Sequence, residues 1–158
     1  MDQSRTNAWV VAGFAAALDL AVVVCAYGFV SLLADVEVVS DPAVGVLVVP
    51  AAVGASVLVL LVTLGLRLRR PERMALTVLL SAVLAWLVFV VVAIIGHLLG
   101  TTGSVLASVL FGAGLGIGWF GLLIPAAAAL VASLAVLVAR GRSGGMDRPR
   151  WPWERDDE

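Results

Sequence analysis

Four stretches of this chain are each apolar over about 20 residues, the length at which a helix rising about 1.5 Å per residue covers about 30 Å of hydrocarbon. They predict membrane helices at Trp9–Ser31, Val44–Leu66, Met74–Gly96 and Gly118–Ala139. Before the fourth, the apolar pattern does not stop where a connector is needed. From Val105 to Ala139 it continues for about 35 residues, too long for one untilted crossing and too short for two with a loop. The division that fits sets Val105–Ile117 apart as a helix in the outer leaflet, or as a re-entrant piece packed on the bundle. The predicted fold is therefore all-α, a polytopic four-transmembrane-helix bundle with an extra outer-leaflet helix. Pro50 falls in the outer part of the second span, where it is expected to remove one backbone hydrogen bond and kink the helix.

The polar connectors add a direction. The chain has ten arginines and no lysine. Arg5 precedes the first span, Arg67, Arg69, Arg70 and Arg73 lie between the second and third, and Arg140, Arg142, Arg148, Arg150 and Arg155 follow the fourth. The connectors Asp35–Pro42 and Gly96–Ser104 hold no arginine. Basic residues resist translocation, so the arginine side is expected to be cytoplasmic, with the chain multi-pass and both termini inside. Trp9 is placed as an aromatic anchor at the inner interface, and Trp119 and Phe120 as an outer belt. The segment 140–158 mixes Gly, Pro and Ser with ten charged residues, five of each sign, and is expected to be a disordered cytoplasmic tail.

Composition supports the membrane reading and narrows the chemistry. The apolar fraction is 62% and the mean hydropathy +1.11, against roughly 45–50% apolar in soluble domains. A net charge of −1 gives no pull on nucleic acid. The single cysteine, Cys25, excludes an intrachain disulfide and reads as a lipid- or helix-facing residue. The apolar run Ala8–Ala34 exceeds the roughly 7–15 residues of a signal-peptide core, so it reads as a span. No cofactor motif is expected to operate. Gly116-Ile-Gly118-Trp-Phe-Gly121 matches the dinucleotide fingerprint, but no strand precedes it and no acidic residue follows at the right distance. With Gly112 and Gly114, these glycines are better suited to close helix packing or to a break before the last span.

Asp19 is the one ionisable residue deep in a span, roughly 16 Å in from Ala8. A charge at that depth costs several kcal/mol, so Asp19 is expected to face protein across the alanines Ala12, Ala15, Ala16 and Ala26. Depth counting offers Ser56 and Ser81 as companions, which predicts a polar cluster of Asp19, Ser56 and Ser81 near the midplane. Such a cluster serves either as a proton or substrate site or as interhelical hydrogen-bonded glue. His97, about 36 Å along its helix from Arg73, is expected to be an ordinary residue of the outer interface. Arg67, Arg69, Arg70 and Arg73, with the first tail arginines Arg140 and Arg142, either record topology alone or contact anionic lipid headgroups. A lone histidine excludes a His-x-x-x-His metal motif, and no Gly-x-Ser-x-Gly elbow occurs, so an enzyme is not expected.

Arginine without lysine, long Ala/Val/Leu runs, the Arg67–Arg73 loop and the tail Arg148-Pro-Arg-Trp-Pro-Trp-Glu-Arg-Asp-Asp-Glu158 resemble small uncharacterised four-span membrane proteins of actinobacteria. That resemblance implies an inner-membrane protein. Four spans with an acid in the first are also similar in architecture to the small multidrug resistance exporters. The chain departs from those in having Asp19 in place of glutamate, in length, and in lacking an aromatic-rich pocket. Two roles follow as expectations: a non-enzymatic scaffold that binds a membrane partner or a second copy, or a small proton-coupled transporter or channel using Asp19.

Overall fold

The computed structural model describes residues 3–35, 45–68, 74–101 and 104–143. Arg69, Arg70, Arg73, most of the acidic connector and the tail from residue 144 lie outside the described residues. The described chain forms five helices, α1 (Gln3–Ala34), α2 (Val48–Arg67), α3 (Met74–Gly100), α4 (Val105–Ile117) and α5 (Trp119–Ser143). Four of them, α1, α2, α3 and α5, are long and apolar enough to cross a membrane. The helix α4 is not: its 13 residues reach about 20 Å. The fold is the expected all-α, polytopic bundle with one extra short helix, and the division at residues 117 and 118 falls where the hydrophobic run predicted it.

Helix ends differ from expectation for local reasons. The second helix begins at Val48 rather than Val44, which moves Pro50 into its first turn. There the missing N–H has no intrahelical acceptor to lose, so proline starts this helix instead of kinking it. Asp35 ends α1 with φ at 50°, a left-handed conformation that aspartate tolerates better than most residues. The last helix continues through Arg140 to Ser143, four residues beyond Ala139.

Helix α1 packs against α2 and α5, and α3 against α2, α4 and α5. The helices α2 and α5 also touch across the middle, while α1 and α3 do not meet. The buried positions of α3 are Thr77, Ser81, Ala85, Phe89, Ala93 and His97, every fourth residue without exception. Four residues turn a helix about 40° past a full circle, so this line winds about 200° around α3 over its five steps. One helix can thereby meet three neighbours, and at the last position, His97, the neighbour is α4. Small residues dominate the facing surfaces, with Ala8, Ala12, Ala15 and Ala16 on α1 and Ala127, Ala128, Ala132 and Ala135 on α5. Lipid tails are as apolar as these side chains, so close van der Waals approach, not burial of oil from water, holds such helices together.

Glycines bring α3 and α4 into close contact. The shorter helix turns back along the longer one and buries Ser108, Gly112 and Gly116, again at four-residue spacing. A Cβ on Gly112 would overlap Ile94, and one on Gly116 would sit 2.5 Å from Val90 Cγ2. Gly114, on the other side, faces open space. The chain then breaks at Gly118, whose ψ of 166° is extended. A break inside an apolar region exposes carbonyls that cost several kcal/mol if left without donors. Gly118 N–H donates to Gly114 O at 2.9 Å, and Trp86 Nε1 donates to Gly116 O at 3.0 Å. Beyond the break, Gly121 packs directly on the carbonyl oxygens of Leu115 and Gly116. The glycine pattern thus serves a helix seam and a backbone break, as close packing requires. Trp86→Phe keeps the ring and removes the donor, and is expected to cost about 1–2 kcal/mol in detergent unfolding. An unchanged midpoint would show that the Gly116 carbonyl needs no indole.

The aromatic residues divide. Trp119 is 81% exposed, as a belt residue should be, but Phe120 is buried edge-on against Tyr27, ring centroids 5.0 Å apart. Tyr27 also donates its hydroxyl hydrogen to Phe120 O at 2.9 Å, so α1 secures the start of α5. Trp9 covers Gly65, where any Cβ would lie 2.7 Å from its ring.

Candidate functional site

Asp19, Ser56 and Ser81 are all buried, with exposures of 3%, 1% and 0%. Asp19 therefore faces protein and not lipid. Its helix supplies the reason, since Ala12, Ala15 and Ala16 on the same face let neighbours come close and cover it. No hydrogen bond joins the three residues. Ser56 donates to Val53 O of its own helix at 2.7 Å, whereas Asp19 Oδ1 and Ser81 Oγ are buried without a hydrogen-bond partner.

Depth separates them further. Trp9 on Gly65 and Val48 on Gly96 fix α1, α2 and α3 as alternately antiparallel. Counting about 1.5 Å per residue from those contacts sets Asp19 at about the depth of Ser56. The same count puts Ser81 about two turns nearer the Arg67 end, level with Thr63. The helices carrying Asp19 and Ser81 do not meet. What the bundle offers at the level of Asp19 is one carboxyl oxygen without a partner and one hydroxyl whose hydrogen is already committed. Both are acceptors unless the carboxyl carries a proton. Two acceptors facing an apolar interior suit a proton or a small cation, not another acceptor.

Arg67 is exposed in the last turn of α2, where its charge complements the helix dipole. Cys25 is exposed, as a lipid-facing residue would be.

Depth counting along α3 did not show what covers His97. It is 7% exposed, and its Nδ1 is 3.0 Å from Ser108 Oγ in a hydrogen bond that ties α3 to α4. Its ring stacks on Phe111 with centroids 4.5 Å apart and planes inclined by 26°. Thr101 Oγ1 donates to His97 O at 2.7 Å, and Ser104 caps α4 by accepting from Ala107 N–H at 3.2 Å. The signal for this cluster was present in the shared four-residue spacing of Thr77 through His97 and of Ser108 through Gly116. His97→Ala is expected to cost about 2–3 kcal/mol, because it leaves Ser108 Oγ only its long bond to Ser104 O and opens a void against Phe111. Ser108→Ala should cost less, about 1 kcal/mol. Denaturant unfolding in a mild detergent measures both, and equal costs would deny the stacking its share.

Among the described residues no group of three His, Cys, Asp or Glu side chains is gathered as a metal site would be. Four long apolar helices, a half-length helix sealed to one of them, and a buried intramembrane carboxyl define a multi-pass membrane bundle. The chain belongs to a family of unknown function, DUF6121, whose model matches residues 1–158. No curated protein and no solved structure matches it.

Proposed function

We propose that this protein is a non-enzymatic scaffold of the bacterial inner membrane, with both termini cytoplasmic, that holds a membrane partner or a second copy of itself. The observation that carries the reading is the asymmetry between the two ends of the bundle. One end is sealed by the α3–α4 seam and by His97, while the other presents Arg67 at the surface and, in sequence, Arg69, Arg70 and Arg73 beside it. A rigid apolar body with one basic end is suited to holding position at an anionic leaflet, each arginine contributing about 1 kcal/mol near the surface.

Orientation is tested first. In a Cys25→Ser background, a membrane-impermeant thiol reagent added to whole cells is expected to label Glu37→Cys and to spare Glu72→Cys until the membrane is opened. The reverse pattern would overturn the topology. Scaffolding is tested by affinity purification from native membranes, where a partner or a second copy should co-purify and be lost when Arg67, Arg69, Arg70 and Arg73 become Gln. A lone monomer that behaves identically with and without those arginines would sink the scaffold.

A second reading, a small proton-coupled transporter or channel, is favoured by the partnerless Asp19 Oδ1. Hydrogen-bonded glue would require the opposite. In proteoliposomes, Asp19→Asn should then fold normally and lose proton flux. Flux equal to wild type would remove Asp19 from any such path.

A further inference from the structure

The buried polar side chains of the four long helices are not spread evenly about Asp19. Level with it stands Ser56, on the neighbouring α2. Thr63 lies about two turns further along the same face of α2 and is buried as well. At that depth α3, packed on α2, brings Ser81, wholly buried and with no partner for its Oγ. The buried Thr77 follows one turn on. By the same count Thr63, Ser81 and Thr77 all fall between Asp19 and the arginine end. In the other direction the core of described residues is apolar, with Val23 a turn beyond Asp19, Ala52 a turn beyond Ser56, and Ala93 on α3. His97 and Ser108 come next, but they are bonded to each other in the α3–α4 seam, and α4 touches neither α1 nor α2. The helices that cover α1 add no other ionisable group at this level, since Arg67 of α2 and Arg140 and Arg142 of α5 stand in the last turns.

We propose that Asp19 exchanges its proton with the arginine side of the membrane, through the hydroxyls of Thr63 and Ser81, and is closed to the opposite face. The inference rests on the proton-coupled reading of Asp19 and adds to it the face from which the proton comes. A hydroxyl accepts a proton on a lone pair while passing its own hydrogen on, so a line of hydroxyls and water carries protons inward. A buried hydroxyl with no partner is the kind of group that an interior water satisfies, and Ser81 offers one at the depth of Thr63. From Thr63 to Ser56 the distance along α2 is about 10 Å, the reach of a few waters. Leu60 stands in that gap, wholly buried and about level with the small Ala85 of α3. The line is continuous only while the Leu60 side chain is turned aside, so Leu60 sets the rate.

The test uses the full chain in nanodiscs, with infrared spectroscopy following the Asp19 carboxyl as the buffer is changed from light to heavy water. Asp19→Asn identifies the band. Thr63→Val together with Ser81→Ala removes both hydroxyls, adds no volume, and is expected to slow deuteration by about tenfold or more. Leu60→Ala should quicken it. Ser108→Ala, on the other side of Asp19, should leave the wild-type rate. Slowing by Ser108→Ala, or a rate indifferent to both the hydroxyl pair and Leu60→Ala, would overturn the proposal. So would a carboxyl that takes up no deuterium at any pH the protein survives. Should Leu60→Ala not fold, the hydroxyl pair decides alone. Proton flux by the unsubstituted protein in liposomes judges the transporter separately. No flux, with exchange slowed by the hydroxyl pair, removes the transporter and leaves arginine-side access standing. Flux with unslowed exchange does the reverse.

Discussion

Gly121→Ala is expected to remove most of the folded protein. The added methyl would run into the carbonyl oxygens of Leu115 and Gly116, and these are backbone atoms. They cannot yield without unwinding the last turn of α4 and breaking the Trp86 bond to Gly116 O. The cost should lie at or above the upper end of the roughly 1–3 kcal/mol usual for overpacking. Gly112→Ala meets a side chain instead, Ile94, which can rotate away, so a smaller loss is expected. Gly114→Ala meets nothing within 4 Å and should stabilise α4 by about 0.5–1 kcal/mol through helix propensity alone. The order of monodisperse yields and thermal midpoints in detergent checks all three. A wild-type midpoint for Gly121→Ala would refute the packed junction.

Asp19→Val is expected to move stability the other way, upward by about 2–3 kcal/mol. An acid at the centre of a membrane helix costs about that much to insert, and here one of its oxygens gains no hydrogen bond in return. Replacing a buried polar group by an apolar one is often stabilising for this reason. Ser81→Ala should gain about 1 kcal/mol by the same logic, whereas Ser56→Ala forfeits its bond to Val53 O and should be slightly destabilising. If Asp19 carries the function, the stabilised Asp19→Val variant will be the inactive one, the usual exchange between a working polar site and a quiet core. Destabilisation of Asp19→Val by more than about 1 kcal/mol would mean that the carboxyl holds the bundle together.

The spans were legible because hydrocarbon thickness is a hard length standard and the chain meets it four times. The helix α4 was legible in part for the converse reason, since a run of that length is too long for one untilted crossing and too short for two. Asp19 could be placed inside because a carboxyl cannot face lipid cheaply, whichever helices surround it. What could not be read is lateral register. Depth counted from each helix end grouped Ser81 with Asp19, but such counting treats every helix as starting at one level, and it knows nothing of which helices are diagonal. The burial of His97 could not be read either, since depth along α3 says nothing of α4 folding back to cover the ring. Reading the four-residue spacing of buried α3 positions as a winding line would have pointed His97 at α4. Pro50 was misread for want of a helix start, which the polar pattern around Pro42 and Val44 did not mark.

The confinement of the α3–α4 seam to one end of the molecule sets the bundle's mechanics. Near His97 the helices are riveted, with a ring stack, indole and hydroxyl bonds and glycines in backbone contact. Toward Arg67 the first and last helices stay packed through Ala12 and Ala132 but leave an open slot on their outer side, floored by Ala15 and Ala135. A body fastened at one end and slotted at the other deforms like a clothes-peg. Its easiest motion is expected to be a pivot about the fastened end, with the displacement growing toward the arginine face. Any signal that spreads or closes α1 and α5 will therefore be felt least at His97 and most where the two chain termini emerge.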